Sequence, residues 1–157
     1  MKPIKWSDLL ISIGIAELVG VLSAVLSGNS WGFYKELSRP PFSPPGIVFP
    51  IVWVILYALM GISAYLIEQS KSPEVEKQKA LRIYAAQLFL NFLWSIVFFR
   101  FELFGLSVII ILTLLFLVAL MIYSFYKIEP PAAYLNIPYF LWLVFAAYLN
   151  IGIVILN

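Results

Sequence analysis

The chain has 157 residues, of which 63% are hydrophobic and only 11% are charged, and its formal net charge at pH 7 is +2. Soluble domains carry about 25% charged residues, so this composition excludes an ordinary soluble protein, and the small net charge without a basic stripe excludes a nucleic-acid partner. The sequence contains no cysteine and no histidine, which excludes disulfides, thiol catalysis, a Ser-His-Asp site and the commonest metal and haem ligands.

Five long apolar runs account for most of the chain, and only the first contains a formal charge. Each run is near the ~20 residues that an α-helix needs to cross ~30 Å of hydrocarbon. Since every backbone polar group in lipid must be satisfied internally, such runs predict spanning helices. We predict an all-α membrane protein with a single five-helix transmembrane domain over residues 1–157. The predicted helices cover approximately residues 9–27, 47–67, 83–99, 103–126 and 134–156.

The first run contains a carboxylate and a repeat of small residues. Glu17 lies in the middle of the run, where a charged side chain is costly, and it is interpreted either as a ligand or proton site or as a hydrogen-bonded internal group. Small residues at every fourth position allow close helix approach, within the bundle or between subunits. These small residues are Ala16, Gly20, Ala24 and Gly28.

The link at residues 28–46 is long and rich in both proline and aromatic residues. A loop beyond ~12–15 residues is usually a lid, a binding loop or disordered, and disordered segments are poor in aromatic residues. We therefore predict an ordered loop that caps one end of the bundle; the alternative is a proline-rich spacer among the lipid headgroups. The residues concerned are Pro40, Pro41, Pro44, Pro45, Trp31, Phe33, Tyr34 and Phe42.

The second, third and fifth runs each place a large aromatic residue on one face with small or amide residues. Indole and phenol rings stack on flat apolar ligands, and amides supply oriented hydrogen bonds. These faces predict a shared aromatic pocket; the alternative for each ring is core filling or an interfacial belt. Arg39 in the capping loop is a candidate partner for a ligand carboxylate. The faces are Pro50, Trp53, Tyr57, Gly61 and Ala64; Gln87, Asn91 and Trp94; and Tyr139, Trp142, Phe145, Ala146, Leu149 and Asn150.

The remaining links are short or charged. We predict an exposed linker at residues 70–79 and a tight turn at residues 100–102, and Pro130 and Pro131 are expected to end the fourth helix. Seven of the ten Lys and Arg residues lie in the N-terminal segment, the link near residues 69–82 and the turn at Lys127. The positive-inside rule then predicts a cytoplasmic N-terminus and an external C-terminus.

Four segments resemble a known family. Residues 31–46 read WGFYKELSRPPFSPPG, residues 49–61 read FPIVWVILYALMG, residues 87–94 read QLFLNFLW and residues 138–150 read PYFLWLVFAAYLN. Over essentially the whole chain they resemble the TspO/MBR family, the tryptophan-rich sensory proteins related to the mitochondrial translocator protein, or peripheral benzodiazepine receptor. The proline-rich loop joined to Pro-x-x-Trp-x-x-x-Tyr is the specific part of the match.

The resemblance implies a five-helix bundle in the cell membrane, often a homodimer, with a pocket under the first loop. It implies protoporphyrin IX and other tetrapyrroles, benzodiazepines and isoquinoline carboxamides as ligands, and sterols in animal members. Here Tyr148 is followed by no Lys or Arg, so the sterol motif of the animal proteins is incomplete. The positions matching the family's pocket are Trp53, Tyr57, Asn91, Trp94, Trp142 and Ala146.

The first functional hypothesis is a tetrapyrrole-binding membrane protein that promotes photo-oxidation of protoporphyrin IX, with no required cofactor and no metal. The porphyrin absorbs the light, and Trp53, Trp94 or Trp142 serves as the redox partner. The alternatives are a carrier or regulatory receptor that leaves the porphyrin unchanged, and a scaffold subunit with a vestigial pocket. The predicted ligand-binding residues are Tyr34, Arg39, Pro44, Phe49, Trp53, Tyr57, Gln87, Asn91, Trp94, Trp142, Phe145, Ala146 and Leu149.

Overall fold

The computed structural model describes residues 3–28 and 30–157, except for the side chain of Trp31. Lys2, which entered the charge count, and the Trp31 ring of the predicted capping loop lie outside the described residues. The described part of the chain is helical and contains no β-strand. Its elements are α1 (Trp6–Leu26), α2 (Ser30–Glu36), α3 (Val48–Gln69), α4 (Glu74–Ser95) with a π-helical turn at Ile96–Arg100, α5 (Phe104–Ile128), α6 (Pro130–Tyr134) and α7 (Ile137–Leu156).

Five helical segments are long and apolar enough to cross a membrane, which confirms the predicted five-helix membrane fold. In helices of this length the backbone N–H and C=O groups are hydrogen-bonded within the helix. A segment that crosses lipid must satisfy its backbone polar groups in this way. The segments are Trp6–Leu26, Val48–Gln69, Glu74–Arg100, Phe104–Ile128 and Pro130–Leu156.

The third spanning helix begins about two turns earlier than predicted, so the expected exposed linker at residues 70–79 is mostly helix. Pro73 precedes α4 with an extended backbone, and Glu74 and Glu76 occupy the first turn. Acidic side chains at a helix N-terminus are favoured by the helix dipole. Apolar length therefore located the membrane-embedded part of α4 but not its polar beginning.

The predicted fifth helix at residues 134–156 is broken near its start. Pro130 and Pro131 follow the end of α5, as predicted, and open the short helix α6, because proline suits the first helical positions. Asn136 then separates α6 from α7. Its Nδ2 donates to Ser63 Oγ at 2.8 Å and to the Ala132 carbonyl at 3.0 Å, so a buried amide stabilises the break.

The main helix contacts are those of α5 with α4, α6 and α7 and that of α1 with α3. Buried residues of α5 recur at helical spacing and form one stripe toward the core. The outer face of α5 and most of α1 are exposed apolar surface, as expected for residues that face lipid. The buried stripe includes Ile111, Leu114, Val118, Met121 and Phe125.

Small residues bring α1 and α3 together. A Cβ atom on Gly61 would lie 2.5 Å from the Ile13 Cα, and Ser12 Oγ donates to the Gly61 carbonyl at 2.7 Å. A Cβ atom on Gly20 would lie 2.5 Å from the Tyr57 ring. The predicted close approach within the bundle is thus found in α1, but Gly28 takes no part in it.

Gly28 instead ends α1. Its φ is +78°, and no atom lies within 4 Å of a Cβ built on it. A left-handed residue directly after a helix is a common way for the chain to leave the helical path, and glycine adopts it without steric cost. The fourth member of the small-residue repeat therefore starts the capping loop and is not a helix contact.

The capping loop at residues 28–46, called the cap below, contains in its described residues the short helix α2, which was not predicted from the sequence. Phe33 of α2 stacks on Phe104 with ring centroids 5.9 Å apart. The Tyr34 hydroxyl donates to the Pro44 carbonyl at 2.7 Å, which closes the two halves of the cap on each other.

The cap is also tied to the last helix. The Tyr148 hydroxyl donates to the Pro41 carbonyl at 2.8 Å, and Asn157 Nδ2 donates to the Ser38 carbonyl at 2.8 Å. We call this end of the bundle the capped end, and the end with the start of α1 and residues 70–73 the uncapped end.

Candidate functional site

A cavity of about 340 Å³ lies under the cap, between α1, α3, α4 and α7. We call it the main cavity. Its wall is mostly apolar and aromatic, with a few hydroxyl and amide groups. It is lined by Glu17, Gly20, Val21, Ser23, Ala24, Ser27, Ser30, Tyr34, Gly46, Phe49, Pro50, Trp53, Val54, Tyr57, Asn91, Trp94, Ser95, Phe98, Phe99, Trp142, Ala146, Leu149, Asn150 and Ile153.

Aromatic rings from three spanning helices converge on the main cavity, as the helix faces predicted. Trp53 and Tyr57 on α3 have ring centroids 5.6 Å apart, and Trp142 on α7 meets Phe49 at 5.8 Å. Trp94 on α4 stacks on a neighbouring ring of the π-helical turn at 5.3 Å. These rings contact one another in the tilted, offset and edge-to-face arrangements that aromatic pairs prefer, and their remaining surface lines the cavity.

A hydrogen-bonded network forms the floor of the main cavity. The buried Tyr139 hydroxyl donates to Gln87 Oε1 at 2.7 Å and accepts from Asn91 Nδ2 at 2.9 Å. Gln87 Nε2 is 3.7 Å from the sulfur of Met60. Buried amides need such partners, so this phenol fixes the two amides that the sequence placed on one face of α4.

The indole nitrogens of the cavity differ in their partners. Trp94 Nε1 donates to Asn150 Oδ1 at 2.9 Å. Trp142 Nε1 is buried and has no hydrogen-bond partner, although Trp142 lines the main cavity. A buried N–H without a partner is uncommon and costs about 1–3 kcal/mol. The Trp142 indole nitrogen has essentially no accessible surface, so the N–H is enclosed in the wall beside the main cavity and does not face it.

The main cavity reaches the surface of the bundle between α1 and α3. Val21 of α1 and Val54 of α3 both line it, and each is 57% exposed. Ala24 and Pro50, on the same two helices, are also lining residues with exposed surface. This stretch of both helices belongs to the apolar spanning segments, so the opening is on the apolar outer surface of the bundle near its capped end.

Nine predicted ligand-binding residues line the main cavity, and four do not. Arg39 is exposed in the cap, with its guanidinium carbon 4.7 Å from the centre of the Tyr34 ring. Pro44 supplies only its carbonyl to Tyr34. Gln87 lies beneath the cavity in the Tyr139 network, and Phe145 packs on Trp142 at 5.5 Å. Those that line it are Tyr34, Phe49, Trp53, Tyr57, Asn91, Trp94, Trp142, Ala146 and Leu149.

Most of the wall that α1 and the π-helical turn contribute was not predicted from the sequence. Gly20, Ser23 and Ala24 face the cavity from α1, and Phe98 and Phe99 face it from the turn. The repeat of small residues on α1 was the available signal, because a face without large side chains leaves space beside it. No sequence pattern announced the π-helical turn.

Comparisons with known proteins point to one family. A model described as the TspO/MBR family matches residues 12–156. A tryptophan-rich sensory protein of Cereibacter sphaeroides is 30% identical over 152 residues, covering 97% of this chain and 92% of the relative. A tryptophan-rich protein TspO of Chlorobaculum tepidum is 35% identical, covering 95% of each chain. The translocator protein of Bos taurus is 33% identical, covering 87% of this chain and 82% of the relative.

Proposed function

Since the chain belongs to the TspO/MBR family, we propose that it binds tetrapyrroles such as protoporphyrin IX in the main cavity and promotes their light-dependent oxidation. Family membership and five spanning helices make it a multi-pass membrane protein with a sensory or ligand-binding role. The tetrapyrrole and the photochemistry are the proposed part.

The convergence of aromatic rings from three spanning helices on one cavity is the observation that carries the proposal. Sites for organic ligands combine an apolar lining with a small number of oriented polar groups. Here the rings of Trp53, Tyr57 and Trp94 supply the flat surfaces. Asn91 and Asn150 are among the few polar residues of the lining.

Size and access agree with a flat ligand that is only partly enclosed. The cavity volume of about 340 Å³ is near the lower end of the ~300–1,000 Å³ range for ligand sites. A tetrapyrrole would therefore project one edge through the lipid-facing opening beside Val21 and Val54. Arg39, next to Tyr34 at the cap, is placed to attract a carboxylate at the rim.

The proposed chemistry needs light, dioxygen and an oxidisable ring in contact with the porphyrin. A tryptophan of the cavity gives one electron to the excited porphyrin, the reduced porphyrin passes that electron to dioxygen, and the oxidised indole gives its N–H proton to the superoxide so formed. The resulting indolyl and hydroperoxyl radicals are the species that attack the macrocycle. The protein's part is binding and orientation, and Trp53, Trp94 and Trp142 are the candidate donors.

The test is a set of tryptophan-to-phenylalanine variants in detergent micelles. Protoporphyrin IX is titrated by quenching of tryptophan fluorescence, and the loss of its absorbance is then followed under illumination at saturating porphyrin. The triple variant Trp53→Phe, Trp94→Phe, Trp142→Phe should still bind but lose porphyrin no faster than micelles without protein. Because that variant has few tryptophans left, its binding is followed by porphyrin absorbance.

Trp6→Phe is the matched control, since Trp6 is exposed at the uncapped end. This variant should keep the full rate of light-dependent loss. A triple variant that bleaches bound porphyrin at the wild-type rate would rule out the photochemical role.

The alternative function is a carrier or regulatory receptor that exchanges porphyrin with the bilayer and leaves it unchanged. The lipid-facing opening between α1 and α3 favours it, because an apolar ligand could enter sideways from the membrane. Porphyrin movement across vesicles carrying the protein, measured in darkness, separates the two functions. Flux in darkness with no acceleration of bleaching in light would support the carrier.

Three further features are proposed on the family resemblance. The main cavity is expected to accept benzodiazepine or isoquinoline-carboxamide ligands, which would compete with porphyrin in the same titration.

A homodimer is expected, and the mass of the protein–detergent complex measures it. The N-terminus is expected in the cytoplasm, in keeping with the positive-inside rule, and labelling of single introduced cysteines from each side of the membrane tests this.

A further inference from the structure

Glu17 is a polar group of the main cavity that the proposed photochemistry does not use. Of the described residues that line the cavity, it alone has a formal charge. It lies in the spanning part of α1 and is half-buried. Among residues 3–28 and 30–157, it forms neither a hydrogen bond nor a salt bridge. Since a carboxyl group within a membrane is costly without a partner, Glu17 is suited to one that enters the cavity.

The hydroxyl of Tyr57 is a second polar group that is open to the main cavity. Tyr57 is only 5% exposed and lines this cavity, and within the described part of the chain its hydroxyl has no hydrogen-bond partner. The Tyr57 oxygen has accessible surface, unlike the hydroxyl of Tyr84 and the indole nitrogen of Trp142, which are enclosed. Because buried hydroxyls are nearly always hydrogen-bonded, the Tyr57 hydroxyl independently indicates a missing partner.

The contact between α1 and α3 places these two groups side by side. Glu17 and Gly20 are three residues apart on α1, so they share one face of the helix. A Cβ atom on Gly20 would lie 2.5 Å from Cε2 of Tyr57 and 3.2 Å from Cζ, the carbon that carries the hydroxyl. Glu17 is also the carboxylate close enough to act on this phenol. The carboxyl and the hydroxyl therefore form one polar subsite.

The surroundings of this subsite suit a cation that donates hydrogen bonds. The Trp53 ring lies 5.6 Å from the Tyr57 ring, and both line the cavity; the faces of such rings attract cations. The described lining residues include no lysine or arginine that would compete for Glu17. A carboxylate forms its strongest hydrogen bonds with charged N–H donors, and a primary ammonium group has three of them.

We propose that the main cavity binds flat aromatic molecules carrying a primary ammonium group, which is held by the carboxylate of Glu17 and the hydroxyl of Tyr57. The aromatic body lies against the rings of Trp53 and Trp94, and the ion pair with the ammonium neutralises the carboxylate inside the membrane. Val21, which borders the opening between α1 and α3, is one turn from Glu17 on α1. Such an amine can therefore reach the subsite from the apolar surface of the bundle. This second class of ligand does not depend on tetrapyrrole binding or on light.

The first experiment compares two probes of nearly equal size, naphthalen-2-ylmethylammonium and the uncharged naphthalen-2-ylmethanol. Each is titrated calorimetrically into the full-length protein in detergent at pH 7, and a titration into protein-free micelles is subtracted. The ammonium should bind at least about tenfold more tightly than the alcohol, because only the ammonium forms charge-assisted hydrogen bonds. Equal affinities, or tighter binding of the alcohol, would overturn the proposal.

The second experiment uses isosteric variants of the subsite. Glu17→Gln should weaken ammonium binding about tenfold and leave alcohol binding unchanged, and Tyr57→Phe should weaken ammonium binding several-fold. Both variants should unfold at the wild-type temperature, because each removes a group that has no partner within the described residues. Glu68→Gln is the matched control, since Glu68 is exposed at the uncapped end, and it should keep the wild-type affinity.

Wild-type ammonium affinity in either cavity variant, or an equal loss in Glu68→Gln, would place the probe elsewhere and overturn the proposal. If a cavity variant does not fold, the comparison of the two probes on the wild-type protein still decides the question. Porphyrin is absent from all of these titrations. Failure of the proposed photochemistry would therefore leave their outcome unchanged, and failure of ammonium binding would leave the photochemistry untouched.

Discussion

The two ends of the bundle contain cavities of opposite character, although α1 and α3 form part of the wall of both. The capped end encloses an aromatic cavity with an unpartnered indole N–H at Trp142. The uncapped end has a smaller, open cavity lined by two carboxylates, of which Glu68 is exposed. The first offers aromatic surface to a flat apolar ligand, whereas the second presents acidic groups at the end of the bundle.

Side-chain size at the contact between α1 and α3 separates these ends. Gly61 admits the backbone of Ile13, so the helices touch toward the uncapped end. Toward the capped end, the space beside Gly20 is filled by the Tyr57 ring. Beyond this contact, the exposed residues Val21 and Val54 border the opening between the two helices. The same two helices are therefore tightly packed toward one end, which we call the tight joint, and open toward the other. The small residue is on α3 at the tight joint (Gly61) and on α1 nearer the opening (Gly20).

The largest effect is expected where the tight joint is broken. In Gly61→Ala the new methyl group would meet backbone atoms of α1, which cannot move aside as a side chain can. Overpacking of this kind costs about 1–3 kcal/mol, and we expect the upper part of that range. Thermal unfolding in detergent, followed by circular dichroism, measures it.

Gly14→Ala is the control for this change. Gly14 lies in the middle of α1 with no atom within 4 Å of a Cβ built on it, so the substitution should leave stability unchanged or raise it by about 0.5–1 kcal/mol. If Gly61→Ala proves as stable as Gly14→Ala, the joint at the uncapped end is looser than the structure indicates.

The next effect concerns the floor that separates the main cavity from the rest of the core. Tyr139→Phe removes the hydroxyl that joins Gln87 to Asn91 and leaves two buried amides short of a partner. The expected loss is about 2 kcal/mol of unfolding free energy. Chemical denaturation in mixed micelles is the measurement.

Tyr126→Phe removes an exposed phenol hydroxyl and should change stability by less than about 0.5 kcal/mol. Similar values for the two tyrosine variants would mean that the Gln87 and Asn91 amides find other partners.

A smaller effect is expected inside the main cavity itself. Trp142→Phe removes an N–H that has no partner in the protein, so protein stability should not fall. Protoporphyrin affinity should fall about three- to tenfold, because phenylalanine offers less aromatic surface than the indole that lines the cavity. Fluorescence titration measures the affinity, with Trp6→Phe as the control, and an unchanged affinity would show that the ligand does not contact the Trp142 ring.

The smallest effect concerns the attachment of the cap. Tyr148→Phe removes the hydrogen bond to the Pro41 carbonyl; because that bond is exposed, overall stability should change by less than about 0.5 kcal/mol. Amide hydrogen exchange in residues 38–46 should nevertheless quicken about twofold, since exchange reports local opening. An exchange rate equal to that of Tyr126→Phe would mean that other contacts hold the cap.

The sequence predicts the five spans because every segment that crosses a membrane must be long and apolar, and because most of the run boundaries lie at charges or prolines. It does not predict the start of α4, whose first turns are polar and hold Glu74 and Glu76. The break at Asn136 also escapes it, because that break depends on a hydrogen bond to Ser63 on another helix. Such features are set by tertiary contacts.

For the candidate site, the helix faces predict which rings converge but not every side chain that reaches the cavity. Trp53, Trp94 and Trp142 all line it. Gln87 shares a helix face with Asn91, but it lies one turn deeper, where its Oε1 accepts a hydrogen bond from the Tyr139 hydroxyl. Phe145 shares the face of Trp142 and packs beside that ring, outside the cavity lining. Helical spacing predicts the direction in which a side chain points around the helix axis. Whether that side chain reaches the cavity depends on the neighbouring helices.

The π-helical turn at Ile96–Arg100 has a consequence for how this wall can be altered. A π-turn accommodates one additional residue within an α-helix, and here the widened turn directs two consecutive rings, Phe98 and Phe99, toward the same space. Deleting a single residue there would restore regular α-helical phase and rotate one of the two rings away. The shape of the wall is therefore adjustable by insertion or deletion, without exchanging any residue that faces lipid.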